Sequence, residues 1–198
     1  MEDSILLKKK IVYEALKLFS LKGFLSTSIH DIMREANTSK GGLYNHFKSK
    51  DDIFLAVLSE ARKLWRQRTL EGLDQIERPI EKVKKLLENY RDRYLKDAEA
   101  FPGGCIFVTL SVELDDQRPD FSREIHEGFV RLKAMIKRLL DQEKESGELK
   151  ADVDTAVVTE MVFSGMLGAS VIYGTEKSSL SLDRCINALI NYIGSLSP

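Results

Sequence analysis

Cysteine is scarce. Cys105 and Cys185 stand alone among 198 residues, which excludes a disulfide framework and suits a reducing compartment. Histidine is sparse too: His30, His46 and His126 lie far apart and none has the spacing of a zinc site. No metal and no cofactor is expected. Four prolines leave no Pro-rich linker. A basic-then-apolar leader is missing, because Met1 is followed by Glu2 and Asp3. The most apolar run, Ala156 to Tyr173, is interrupted by Thr159, Glu160 and Ser164 and is short for a membrane span. A cytoplasmic protein with no membrane partner is expected. Net charge is small as well, at −1, and by itself says nothing of nucleic acid.

The charge is unevenly spread, however. Residues 1–50 hold nine Lys/Arg against five Asp/Glu, while the remainder holds 21 against 26. This places a cationic end on a neutral-to-acidic body. Apolar residues recur at three- and four-residue spacing along almost the whole chain, and no run alternates as a strand would. Ile11, Ala15, Leu18 and Phe19 mark a first helix, stopped at Gly23. Ser28 and Asp31 form a capping box for a short second helix that closes near Ala36, with Asn37 in the left-handed turn position. Ser39 opens a third helix, and the Ser49–Asp52 stretch is a second capping box. Beyond it come a stripe from Ile53 to Trp65, a helix from Pro79 through Tyr94, a short one over Cys105–Leu114, and a long one from Pro119 to Gly147. Two more cover Asp154–Tyr173 and Leu182–Leu196. The expectation is an all-α fold of about nine helices, in which residues 1–50 form a helix-turn-helix domain and residues 51–198 a helical bundle.

The stretch "TSKGGLYNHFKSK", Thr38–Lys50, carries the chemistry. Two glycines in so short a helix cost about 1 kcal/mol each relative to alanine. Read as a helix-turn-helix, Ile29–Ala36 is the first helix and Lys40–Phe47 the recognition helix. Ile32, Ala36, Leu43 and Phe47 then face inward. Ser28, Thr38, Ser39, Lys40, Gly41, Gly42, Tyr44, Asn45 and His46 face out. Bare backbone at Gly41 and Gly42 lets the helix sit close to phosphate. Hydroxyls and lysines suit phosphate oxygens, and Lys40, Asn45 and His30 can reach base edges. His30 reads equally as a plain exposed residue.

The segment "TSIHDIMREANTSKGGLYNHFKSKDDIF" resembles the DNA-binding region of the TetR (tetracycline-repressor) family. Ser39, Gly41, Leu43, Tyr44, His46, Phe47 and Lys50 match the family pattern. Met33, Asn37 and Thr38 depart from its usual alanine, glycine and valine. The resemblance covers residues about 8 to 58 closely and the rest only in helix layout. It implies Tyr44, His46 and Lys50 on the phosphate backbone, with Lys40, Gly42 and Asn45 setting operator sequence. It further implies a homodimer on double-stranded DNA with two recognition helices about 34 Å apart. By default such a protein is a repressor released from a palindromic operator by a small, lipophilic effector. The expected mechanism is a population shift in which the fourth helix swings the recognition helices out of register.

In the body, Trp65, Tyr90, Tyr94, Cys105, Glu113, Met161 and Met166 are the candidate lining of an effector pocket. Trp65, Tyr90, Tyr94, Met161 and Met166 read first as ordinary core, although a ligand cavity in such a bundle would be lined by some of them. Glu113 stands two turns from Cys105, placed to meet a ligand or to pair with a neighbour. Cys105 follows "FPGG" at a helix start, where a dipole can lower a thiol pKa, although a lone cysteine is also a small buried hydrophobe. Gly165, Gly168 and Ala169, with Leu189, Tyr192 and Ile193, suggest a dimer interface, as the family's four-helix contact implies; packing inside one subunit is the other reading. No acid–base or nucleophile constellation is visible beyond Cys105 and scattered acids, so an enzyme is not expected. A binding bundle with a vestigial helix-turn-helix is the remaining class.

Overall fold

Local chemistry sets the element boundaries. The computed structural model describes residues 2–198, with side chains from Ser4 onward. Among the described residues there are nine α-helices and no strand. They are α1 (Glu2–Lys22), α2 (Ile29–Ala36), α3 (Lys40–Tyr44), α4 (Lys50–Thr69), α5 (Pro79–Asn89), α6 (Ile106–Leu114), α7 (Pro119–Glu145), α8 (Thr155–Glu176) and α9 (Ser179–Gly194). Gly23 takes a φ of 83° after α1, and its N–H donates to the Phe19 carbonyl at 3.0 Å. Asn37 sits in the left-handed region after α2, with φ 51°. The Ser28–Asp31 capping box is present in both directions. The second expected box is half formed: Ser49 accepts from the Asp52 N–H, but the Asp52 carboxylate caps the Lys48 N–H instead, at 2.9 Å.

Three elements differ from expectation. The recognition helix α3 has only five residues: Asn45 closes it as the C-cap, still with a helical φ of −67°, and Phe47 beyond it is buried. The helix from Pro79 does not run straight through Tyr94. After Asn89 it widens into a π-turn, Tyr90–Leu95, in which the Lys96 N–H donates to the Arg91 carbonyl five residues back at 3.2 Å. Such turns recur at functional sites. Finally, α8 has 22 residues, enough length and apolarity to cross a bilayer, although Val158, Val162, Met166 and Ala169 are buried within the protein and the helix packs on α7 and α9.

One hydrophobic cluster runs from Ile11 and Leu43 at the basic end to Ile186 and Ile193 at the other. Aromatic rings join the N-terminal helices to the body. Phe121 of α7 stacks on Phe54 of α4 at 4.0 Å between centroids and meets Phe24 edge-on at 5.6 Å. The Arg118 guanidinium covers the Phe121 ring at 3.8 Å and makes a two-pronged pair with Asp51 at 3.1 and 3.0 Å.

Candidate nucleic-acid interface and cavity

The inward residues of the helix-turn-helix lock α2 against α3: Ile32, Ala36, Leu43 and Phe47 are all buried. What remains outside is polar. His30, Ser39, Lys40, Gly41, Tyr44 and Asn45 are exposed, and Thr38 and His46 are half-buried. Tyr44 keeps 44% of its surface accessible. Among the described residues, Lys40 and Lys48 have no carboxylate within ion-pair distance. A shallow concavity between the two helices is lined by His30, Arg34, Asn37, Thr38 and Ser39.

Three of the expected contact residues are already engaged. The Ser28 hydroxyl accepts the Asp31 N–H at 3.0 Å and donates to the Asp31 carboxylate at 2.9 Å. Gly42 does not bare backbone to the outside: a Cβ there would overlap the Thr38 hydroxyl and touch Leu7 of α1, so this glycine serves packing. Gly41 is exposed, and a Cβ there would meet only the Ser39 hydroxyl, at 3.9 Å. Lys50 folds back over the Phe24 ring, 4.2 Å from its centroid, with Nζ 3.5 Å from the Leu25 carbonyl oxygen. Burial there pushes the ammonium pKa down.

The turn between α1 and α2 is held from the body by α6. The Glu113 carboxylate accepts the N–H groups of Phe24 at 2.7 Å and Leu25 at 2.9 Å. It lies so close to Gly23 that any Cβ would overlap it, which is the second reason that position is glycine. The other end of α6 is tied as well. The Ser20 hydroxyl donates to the Gly104 carbonyl at 3.3 Å and accepts the Gly103 N–H at 3.2 Å. Glu113 therefore faces the turn and lies outside the lining of the cavity beside α6, for the simple reason that its acceptors are needed by two backbone donors.

That cavity, of about 220 Å³, lies between α4, α6, α7 and α8. Trp65, Tyr90, Cys105 and Met166 line it, as the sequence suggested. Tyr94 does not; it sits behind Cys105, its hydroxyl 3.6 Å from Sγ, and stacks on Tyr90. Met161 does not either, since it points away from the bundle with 38% of its surface exposed. Burial pushes the Cys105 thiol and both phenols above their ordinary values, so all three are neutral at physiological pH. A neutral, enclosed thiol is a poor nucleophile, which counts against the redox reading of Cys105. Sequence reasoning missed Arg62, Arg66, Gly128 and Arg131. The arginines flank Trp65 by three residues and one, and sit three beyond Gly128. Charged residues beside an apolar stripe pass for solvated ones. Among the described residues, no group of three His, Cys, Asp or Glu side chains is placed to hold a metal ion.

The expected dimer residues divide in two. Gly165 lets Leu189 of α9 approach α8, since a Cβ would come within 2.7 Å of that side chain. Ala169 and Ile193 are buried in the same subunit. These four belong to the seam inside one chain. Gly168 faces open space and Tyr192 is exposed. Gly168 stands in an uncharged outward stripe along α8, with Val157, Met161, Ser164 and Val171 at alternating four- and three-residue spacing.

Comparison with known proteins places this arrangement. A family model described as bacterial regulatory proteins, tetR family, matches residues 11–57, and another described as tetracyclin repressor-like, C-terminal domain, matches residues 79–189. An uncharacterized HTH-type transcriptional regulator in the lacX 3′ region of Lactococcus lactis is 34% identical over 131 residues, 65% of each chain. The HTH-type transcriptional regulator LmrA of Bacillus subtilis is 25% identical over 92% of this chain and 96% of that one. A TetR transcriptional regulator from Chloroflexus aurantiacus superposes with a TM-score of 0.90 at 25% identity, covering 100% and 98% of the two chains.

Proposed function

The chain belongs to the tetR family of bacterial regulatory proteins, and from that premise we propose that it is a homodimeric transcriptional repressor, released from a palindromic operator by a small molecule. In this reading residues 1–50 bind DNA, residues 51–198 dimerise and hold the effector, and the protein acts in the cytoplasm without catalysing a reaction. His30, Thr38, Ser39, Lys40, Gly41, Tyr44, Asn45 and His46 meet the duplex. Lys50 and Ser28 support that surface from behind.

One observation carries the proposal: α6 touches both the cavity and the DNA-reading end. Cys105, the residue before its first turn, lines the cavity, and Glu113 near its last turn holds the turn before α2. Eight residues of helix separate them by about 12 Å. An effector that displaces α6 along its axis thus moves the Gly23–Leu25 turn, and with it α2 and α3. The fourth helix shares the task through Asp51 and Phe54, which are locked to Arg118 and Phe121. Bistable packing of this kind converts small shifts into a change of register.

The test is fluorescence anisotropy on duplex DNA from upstream of the gene. Binding should be tight at low salt and should weaken steeply as salt rises, because phosphate contacts displace counterions. An effector found by melting shift should then release it at fixed salt. Binding that ignores every ligand bound in the cavity would leave a DNA-binding protein but remove the switch.

A further inference from the structure

The cavity is asymmetric in chemistry. Its floor is Tyr90, Cys105 and Met166, all buried. Its exposed rim carries Arg66 and Arg131, with Arg62 half-buried beside them. Among the described residues no Asp or Glu lines it. Glu124 and Glu127 lie nearby but are engaged: the Arg62 guanidinium donates to the Glu124 backbone oxygen at 2.5 Å and pairs with its carboxylate at 3.2 Å, and Arg131 pairs with Glu127 at 3.3 Å. Among the described residues Arg66 has no carboxylate partner within ion-pair distance. Gly128 lies at the same rim, mid-way along α7, and a Cβ there would meet nothing within 4 Å. Glycine in a helix interior costs about 1 kcal/mol, and here nothing in the fold requires it; what it leaves is an opening.

We propose that the effector is an amphipathic organic anion, whose apolar body fills the floor and whose carboxylate is taken by Arg66 at the rim, flanked by Arg62 and Arg131. This rests on the reading of the cavity as the effector site. A planar guanidinium binds a carboxylate through two parallel N–H bonds, and partial desolvation at a rim strengthens them. A cation at the same place would meet Arg66, the one rim guanidinium that no carboxylate of the described residues offsets, since Arg62 and Arg131 are paired with Glu124 and Glu127. Size follows from volume. Since a 150 Å³ apolar cavity accommodates benzene, this one takes a body of about nine non-hydrogen atoms.

Trp65 is the only tryptophan and lines the cavity, so its fluorescence reports occupancy directly. Octanoate, octan-1-ol and octylamine share one body and differ in charge. Octanoate should bind at least tenfold more tightly than octan-1-ol, with octylamine weakest. Arg66→Gln should reduce the octanoate advantage to under threefold. Gly128→Leu should weaken octanoate and octan-1-ol alike by narrowing the opening. Both changes lie at accessible positions, and circular dichroism verifies the fold. Octanoate binding no better than octan-1-ol, no response to octanoate, or an octanoate advantage that survives Arg66→Gln would each overturn the inference. The two levels separate cleanly. Equal binding of octanoate and octan-1-ol, with release of DNA by both, removes the anion and keeps the switch. Selective octanoate binding that leaves DNA bound keeps the anion and removes the switch.

Discussion

Glu113 is an acceptor for two backbone donors in another part of the molecule, and its loss should be felt in two ways. Glu113→Ala leaves the Phe24 and Leu25 N–H groups without their charged partner. Because the site is partly solvated, the expected cost is about 1–2 kcal/mol of unfolding free energy, read from urea titration. The more specific expectation is functional: DNA affinity within a few-fold of the parent, but an effector response cut at least fivefold. On the outer surface, Lys48 is exposed and carries no expected base contact, so Lys48→Ala should weaken all duplexes similarly and reduce the slope of log affinity against log salt by about one. Asn45→Ala should instead change which sequences are preferred, at about 1–3 kcal/mol for the affected base pair. Competition binding on randomised duplexes distinguishes the two. Uniform weakening by Asn45→Ala as well would mean that this side chain does not read bases.

The helices report how far sequence reasoning carries. Caps and stops written in short polar signals, such as Ser28 with Asp31, Asn37 and Gly23, were legible because one or two residues decide them. The π-turn at Tyr90–Leu95 was not, since its residues keep helical periodicity; in the fold the Tyr94 hydroxyl meets Cys105 and the Tyr94 ring stacks on Tyr90. The identity of Gly42 as a packing residue, and of Gly165 as the seat of Leu189, also depends on neighbours distant in the chain. The rim arginines were hidden for the same reason. At this scale the titrating groups make a prediction. Arg91, then Lys96, hold Asp92 at about 2. Arg118 lowers Asp120, and Lys137 with Thr155 lowers Asp141. Each binds fewer protons folded than unfolded, where the carboxyl titrates near 3.9. Their contribution is therefore complete above about pH 4 to 5 and is lost on acidification toward pH 2. Urea midpoints should change little between pH 6 and 5 and fall progressively below pH 4. A loss centred near pH 6 would point to histidine instead.

At the scale of the molecule, the proposed dimer would have a second copy cover the outward stripe of α8. It carries Val157 and Met161, 62% and 38% exposed, around the open position at Gly168. Gly168→Arg adds bulk and charge there without touching the subunit's own core. Sedimentation should then show a monomer with unchanged helicity, and operator affinity should drop at least a hundredfold, because two half-sites no longer share one binding event. An intact dimer would transfer the interface to another face, and aggregation reversed by detergent would suggest lipid contact instead. The account as a whole rests on two copies of the α2–α3 surface lying on one side of a duplex. Hydroxyl-radical footprinting of the protein on its own upstream DNA tests this most directly. The predicted result is two protected stretches on the same face, centred about 34 Å apart and related by approximate two-fold symmetry, both lost together in Gly168→Arg. A single protected stretch that persists in that variant, or no protection in low salt, would contradict it.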